Sequence, residues 1–122
     1  MEITFTSFQM GKNKIHYATE SRRDLDEIWD YIAYNPQNVS AAERIVNRIM
    51  NDVDHLENHA EMGAPLSSIA NVESDYRFLV TGNYLTFYRV SGSDVYVDRI
   101  LYARRDYLRV LFGDTQEDEA PE

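Results

Sequence analysis

Two glycine-centred breaks, Gly82-Asn83 and Ser91-Gly92-Ser93, divide Tyr76 to Leu101 into three runs of strand length. Tight hairpin turns need such residues, because their central positions take backbone angles that a Cβ resists. Tyr76 to Thr81, Tyr84 to Val90 and Asp94 to Leu101 are therefore predicted to form an antiparallel meander. In the middle run Tyr84, Thr86, Tyr88 and Val90 alternate with Leu85, Phe87 and Arg89, so neither face of the strand is simply polar. One face is expected to pack on helices and the other to meet a partner.

The helices lie upstream. Ser21 followed by Asp24 reads as a capping box, and Leu25, Ile28, Trp29 and Ile32 recur at helical spacing until Asn35-Pro36, which predicts a helix over Arg22 to Tyr34. A second start at Ser40 with Glu43 opens a longer helix whose stripe is Ala42, Ile45, Ile49, Val53 and Leu56. Joined by about five residues, the two must lie antiparallel as a hairpin. Lys14 to Ala18 reads as a short strand, Asn58 to Asn71 as a loop, and Tyr102 to Phe112 as a short helix carrying Leu108, Leu111 and Phe112. Within residues 1–13 EITFTS also alternates and reads as either a further strand or an unstructured leader, and the acidic stretch 113–122 reads as a disordered tail. The fold class is thus α+β: an N-terminal strand, a two-helix hairpin on an antiparallel sheet, and a short C-terminal helix, with one domain over 14–112.

Charge is unevenly distributed. The chain carries a formal net charge of -9, but Tyr76 to Phe112 holds six arginines against three aspartates, whereas Met1 to Asp75 holds six basic and thirteen acidic residues. An acidic chain is not a generic nucleic-acid binder, since phosphate contacts scale with Lys and Arg. Arg77, Arg89, Arg99, Arg104, Arg105 and Arg109 sit among Tyr76, Tyr84, Tyr88, Tyr96, Tyr102 and Tyr107, a combination that reads as a surface for an anionic or aromatic partner. Arg104-Arg105-Asp106 at a strand end also fits an ion pair or helix cap, and Arg77 and Arg89 could snorkel from an edge.

Other chemistries find little support. With no cysteine there is no disulfide, thiolate nucleophile or thiolate metal site, which suits a reducing cytoplasm. His55 and His59 have a metal-compatible spacing without a third ligand, and they read as solvated surface residues; no metal or cofactor is expected. No serine-hydrolase or phosphate-loop spacing occurs. Asp24, Asp26, Glu27 and Asp30 read as a solvated helix face. No apolar run is long enough for a bilayer, so a soluble, cytoplasmic protein without membrane contact is expected.

The strings DLDEIWDYIA (Asp24 to Ala33), AAERIVNRIMNDVDHLENHAEMGAPL (Ala41 to Leu66), YRFLVTGNYLTFYRV and RILYARRDY, in that order, resemble the RelE/ParE superfamily of bacterial type II toxin-antitoxin toxins. The resemblance covers roughly Lys14 to Phe112 and implies a growth-arresting toxin, of the kind tied to plasmid stabilization, held inactive by a cognate antitoxin. A toxin-antitoxin hetero-oligomer or a homodimer is implied as well. The superfamily splits into ribosome-dependent mRNA endonucleases, whose sheet presents basic residues and a Tyr or His to RNA, and ParE-like inhibitors of DNA gyrase. A non-toxic, antitoxin-binding or structural relative is the alternative.

By this resemblance Arg77 and Arg105 match basic positions of the nuclease branch; Arg89 could add charge, and Tyr84, Tyr88 or Tyr107 could shuttle the proton. Arg77, Arg105, Tyr84 and Tyr107 are the candidate catalytic residues. Leu85 and Leu79 depart, each standing where that branch has a basic residue; no histidine lies beyond His59, and the nuclease's C-terminal tyrosine falls near Leu111. With Phe87, Arg89 and Arg104, these two leucines form the candidate binding set. RNA cleavage through the 2′-hydroxyl needs a base, an acid and cations for the phosphorane, and a tyrosine titrating near its usual value of about 10 needs cations beside it to serve.

Overall fold

The computed structural model describes residues 12–34 and 38–113. Nearly all of the leader, the acidic stretch from Asp114 and the Asn35-Pro36 helix stop lie outside them. Element order is β1 (Lys14–Tyr17), α1 (Thr19–Tyr34), α2 (Val39–Asp54), β2 (Ala64–Pro65), β3 (Arg77–Thr81), β4 (Tyr84–Ser91), β5 (Asp94–Tyr102) and α3 (Tyr107–Phe112). The helical hairpin, the meander and the short C-terminal helix are as the sequence predicts.

Both hairpin turns form. Gly82 and Gly92 take φ of 59° and 62°, the left-handed conformation for which glycine is suited, and the two turns are closed by the pairs Thr81/Tyr84 and Ser91/Asp94. The sheet order is β1-β5-β4-β3-β2, and it is mixed rather than wholly antiparallel, because β1 pairs parallel to β5. A parallel pair needs a long connection, and here the helical hairpin and strands β2 to β4 all lie between β1 and β5 in the chain. The loop expected over 58–71 contains the edge strand β2, paired to Arg77 and Phe78.

The helix starts differ from the sequence reading. Helix α1 begins at Thr19, so Ser21 is inside it and its hydroxyl donates to the Ala18 carbonyl at 2.7 Å. Asp24 therefore does not close a capping box. Helix α2 is capped by Asn38, whose side chain accepts from the Ala41 amide, two residues before the expected Ser40. Helix α3 spans only Tyr107–Phe112, because β5 runs on to Tyr102 and Asp106 caps the helix.

Two apolar clusters lie on the two faces of the sheet. Ile28, Ile49, Val53 and Leu56 of the helical side meet Leu79, Tyr88, Val95, Val97 and Ile100. On the far face Leu66, Phe78, Leu85, Phe87 and Leu101 are covered by the segment after β2 and by Tyr107, Leu108 and Leu111. The face expected to await a partner is thus closed by the chain itself, since leaving this row of Phe and Leu in water would forgo roughly 1.5–3 kcal/mol for each large side chain.

One ionic contact joins the layers. Asp24 is 4% exposed; it accepts from Arg99 Nε at 2.8 Å, from Arg99 Nη2 at 2.9 Å and from the Ile100 amide at 2.8 Å. The parallel ladder of β1 ends at Tyr17 and Val97, with a last bond from the Ala18 amide to the Val97 carbonyl, so farther along β5 the Asp24 carboxylate takes the place of a strand partner. A register shift between Phe87 and Tyr88 of β4 leaves Asp98 unpaired on β5, immediately before Arg99. The expected solvated face of α1 fails at this residue for that reason.

Replacing Asp24 by alanine should strand both the guanidinium and a buried amide. Because Arg99 remains partly accessible, urea unfolding should show a loss near the low end for broken buried pairs, about 3 kcal/mol. Asp24→Asn, which still offers an acceptor to Ile100, should lose less.

Candidate functional site

The strand-region arginines do not form one basic platform. Arg77 is directly opposite Tyr88 in the β3–β4 register and therefore lies on the helix face. Its guanidinium donates to the carbonyls of Gly63 at 2.6 Å and Glu61 at 3.3 Å. Tyr88 is fully buried; its hydroxyl donates to the Ala60 carbonyl at 2.8 Å and accepts from the Gly63 amide at 2.9 Å. A Cβ at Gly63 would stand 2.6 Å from that hydroxyl oxygen, so glycine alone lets the turn approach. Arg77 and Tyr88 fasten the Ala60–Gly63 turn to the sheet, and burial pushes the Tyr88 phenol up despite the opposing pull of Gly63 and Arg77.

Arg89 alternates to the other face. Its Nε donates to Asp98 at 2.8 Å, and this hydrogen bond raises its pKa further. Asp98 also accepts from the Tyr76 hydroxyl at 2.9 Å. The guanidinium carbon of Arg89 lies 5.5 Å from the centre of the Tyr96 ring, and His16 stacks on Tyr96 at 5.0 Å, which makes a row across β4, β5 and β1. Arg99 is held by Asp24 and Arg109 lies 3.6 Å from Asp106. Only the Arg104 and Arg105 side chains, within this set, are exposed with no ion pair or hydrogen bond among the described residues.

Arg105 borders a cleft of about 500 Å³ between the second half of α1 and the end of the β4–β5 hairpin. Ile28, Ile100 and Leu101, all buried, line it, and Tyr31, Tyr84 and Tyr102 add aromatic walls. The Tyr84 and Tyr102 rings are 5.9 Å apart. Burial first, then the neighbouring Tyr102 and Tyr31 phenols, push the Tyr84 pKa up. Asn83, Glu27 and Asp24, whose carboxylate is held by Arg99, complete the polar lining.

Of the four catalytic candidates, the cleft brings Tyr84 and Arg105 together. It does not include Arg77, held at the Gly63 turn, or Tyr107, whose ring packs 5.3 Å from Phe87 in the far-face cluster. Among the binding candidates, Leu79 and Leu85 are each 7% exposed and Phe87 is fully buried, so these three are core residues rather than a contact surface. Arg89 is committed to Asp98, and Arg104 is exposed. Sequence reasoning passed over Tyr31 and Asn83; the only signal for Tyr31 was its place one helical turn after Ile28, an ambiguous position between stripe and surface. His55 and His59 are exposed, and no group of three possible metal ligands occurs among the described residues. Among the same residues no helix is long and apolar enough to cross a membrane.

A helical hairpin on a five-stranded mixed sheet, with Tyr84, Tyr102 and Arg105 at one cleft, is the architecture that the RelE/ParE resemblance implies. Residues 15–107 match the family described as ParE toxin of type II toxin-antitoxin system, parDE, and the chain belongs to that family. It is 32% identical over 88 residues to Toxin ParE1 of two Mycobacterium tuberculosis strains, CDC 1551 / Oshkosh and ATCC 25618 / H37Rv, covering 71% of this chain and 86% of the relative. Its fold matches a chain of the chromosomal ParDE TA system from P. aeruginosa, with a TM-score of 0.64 and 22% identity over 77% of this chain and 99% of that one. It also matches a chain of the toxin-antitoxin complex RelBE2 from Mycobacterium tuberculosis, with a TM-score of 0.55 and 18% identity over 76% and 93%.

Tyr88→Phe leaves the Gly63 amide and the Ala60 carbonyl without a partner and should lower the urea midpoint by the equivalent of about 1–3 kcal/mol. Burial, assisted by Asp54 and by Asp98 respectively, pushes Tyr17 and Tyr76 up to about 12 from the usual 10.0. Their folded-state values lie above the unfolded ones, so their contribution is complete below pH 10 and disappears as pH climbs from 10 to about 12. Stability measured across that interval should fall, and Tyr76→Phe should flatten the decline. The Tyr17 hydroxyl is buried and has no hydrogen-bond partner among the described residues, so Tyr17→Phe should flatten it too, with no loss of stability at neutral pH.

Proposed function

We propose that this protein is the toxin of a type II module, neutralised by a cognate antitoxin, and that it arrests growth in the cytoplasm by binding DNA gyrase rather than by cutting mRNA. The observation that carries the choice is the dispersal of the nuclease candidates. Arg77 is bound to turn carbonyls on the helix face and Tyr107 lies in the far-face core, so neither reaches the Tyr84–Arg105 pair in the cleft. General-base catalysis by tyrosine calls for a phenol pushed down toward neutral pH. Burial pushes Tyr84 and Tyr88 the other way. Leucine at positions 79 and 85, where the nuclease branch has cations, removes charge that a phosphorane transition state requires.

The family match over residues 15–107 supports the ParE-like branch, in which inhibition is a binding event and needs no catalytic set. The P. aeruginosa and M. tuberculosis structures similar to this chain are a ParDE system and a toxin-antitoxin complex, which supports an antitoxin partner here.

The test sets the two targets side by side. Purified toxin added to gyrase and relaxed plasmid should abolish supercoiling at near-stoichiometric ratio, while translating ribosomes given the same toxin should leave mRNA intact. Codon-phased cuts in the mRNA with undiminished supercoiling would reverse the assignment.

A further inference from the structure

Four of the six arginines between Tyr76 and Phe112 have partners inside the molecule: turn carbonyls for Arg77, Asp98 for Arg89, Asp24 for Arg99 and Asp106 for Arg109. Arg104 and Arg105 do not, among the described residues. Two adjacent guanidinium groups, unpaired among the described residues, make a local positive field on a chain of net charge -9. Beside them is the cleft, with Ile28 and Ile100 in its wall and exposed aromatic rings at its mouth: Tyr31 is 67% and Tyr102 44% exposed.

Tyrosine and arginine are among the residue types that dominate binding energy at protein interfaces: the phenol ring offers a broad apolar body at low conformational-entropy cost, and the guanidinium a planar fork of donors. The three phenols, the Asn83 amide and the Arg105 guanidinium present hydrogen-bond donors around that recess. Glu27 and the Arg99-paired Asp24 stand among the lining residues and disfavour a ligand that is anionic throughout. The matching occupant has an apolar side chain to enter the recess and a carboxylate placed toward Arg104 and Arg105.

We infer that this cleft is the anchor socket for the cognate antitoxin, receiving a large apolar side chain flanked by an aspartate or glutamate. This rests on the toxin reading for the existence of an antitoxin, but not on gyrase as the target. It relocates the contact from the sheet face, whose Leu79, Leu85 and Phe87 are already buried, to the α1–hairpin end.

The test is titration of the full-length toxin with the full-length antitoxin encoded beside it, by calorimetry, for the wild type and for Arg105→Glu, Tyr31→Ala and Tyr102→Ala. Exposed Arg44→Glu on α2, outside the cleft, is the control. Circular dichroism and urea midpoints verify that each variant is folded; because Tyr31, Tyr102 and Arg105 are exposed, near wild-type stability is expected. Arg105→Glu and Tyr102→Ala should each weaken binding by about tenfold or more, the level at which an interface residue counts as an anchor, and raising salt should reduce the Arg105 effect. Arg44→Glu should change affinity less than about twofold, as a rim charge does.

Affinities within about twofold of wild type for all three cleft variants would overturn the inference. So would loss of gyrase inhibition with antitoxin affinity intact, which would make the cleft a target surface. Release of the socket by truncation after Gly113 would assign it to the chain's own acidic segment, and dimer dissociation in the cleft variants, seen by sedimentation, would assign it to a second copy. A wild-type toxin that binds antitoxin through these residues but leaves gyrase active would defeat the proposed target and leave the socket standing.

Discussion

The Asp24 carboxylate is the point on which the layers are registered. It closes three hydrogen bonds at once, two to the Arg99 guanidinium and one to the Ile100 amide, and it does so from the first helix to the last strand. The backbone of β5 loses its parallel partner beyond Val97, so an exposed edge would otherwise persist beside α1. A single side chain satisfies that edge and neutralises Arg99, the residue that follows the bulge at Asp98. The pair adds geometric definition that the apolar stripe of α1 alone lacks, because dispersion and burial tolerate sliding and a bidentate ion pair does not.

With that contact in place, the positions of the remaining charges follow. The α1–β5 junction sets the separation between Tyr31 on the helix and Tyr84 and Tyr102 on the hairpin, and so the width of the cleft that Arg105 borders. Beside Arg99 on β5, Asp98 accepts from Arg89 and Tyr76, and the Tyr96 ring lies against the Arg89 guanidinium. Positive charge that looks concentrated along the chain is thus divided between structural pairs and a small unpaired remainder. A toxin that works by binding needs only that remainder, whereas an RNA-cutting active site would require several cations converging on one phosphate.

The two sheet faces illustrate how far local pattern carries. Alternation in β4 assigns Tyr84, Thr86, Tyr88 and Val90 to one side and Leu85 and Phe87 to the other, and both clusters agree with it. Alternation is silent on what covers each side. Covering the far face with Leu66, Tyr107, Leu108 and Leu111 requires the segment after β2 and the last helix to fold back, a long-range event with no periodic signature. The same limit explains Asp24, whose neighbours Asp26, Glu27 and Asp30 have the solvated character of a charged helix face while Asp24 itself is buried.

From residue order alone came the hairpin turns at Gly82 and Gly92, the strand and helix stripes, the unequal distribution of charge, and the likeness to the RelE/ParE superfamily. These are local properties: a glycine's backbone freedom, a period of two or 3.6, and the identity of successive residues. Tertiary structure alone decided the parallel docking of β1, the pairing of Arg99 with an aspartate 75 positions away, and the separation of Arg77 from Arg105. Charge partners are chosen by distance in space and by the cost of leaving a buried ion alone, and neither quantity is written in the spacing of residues along a chain.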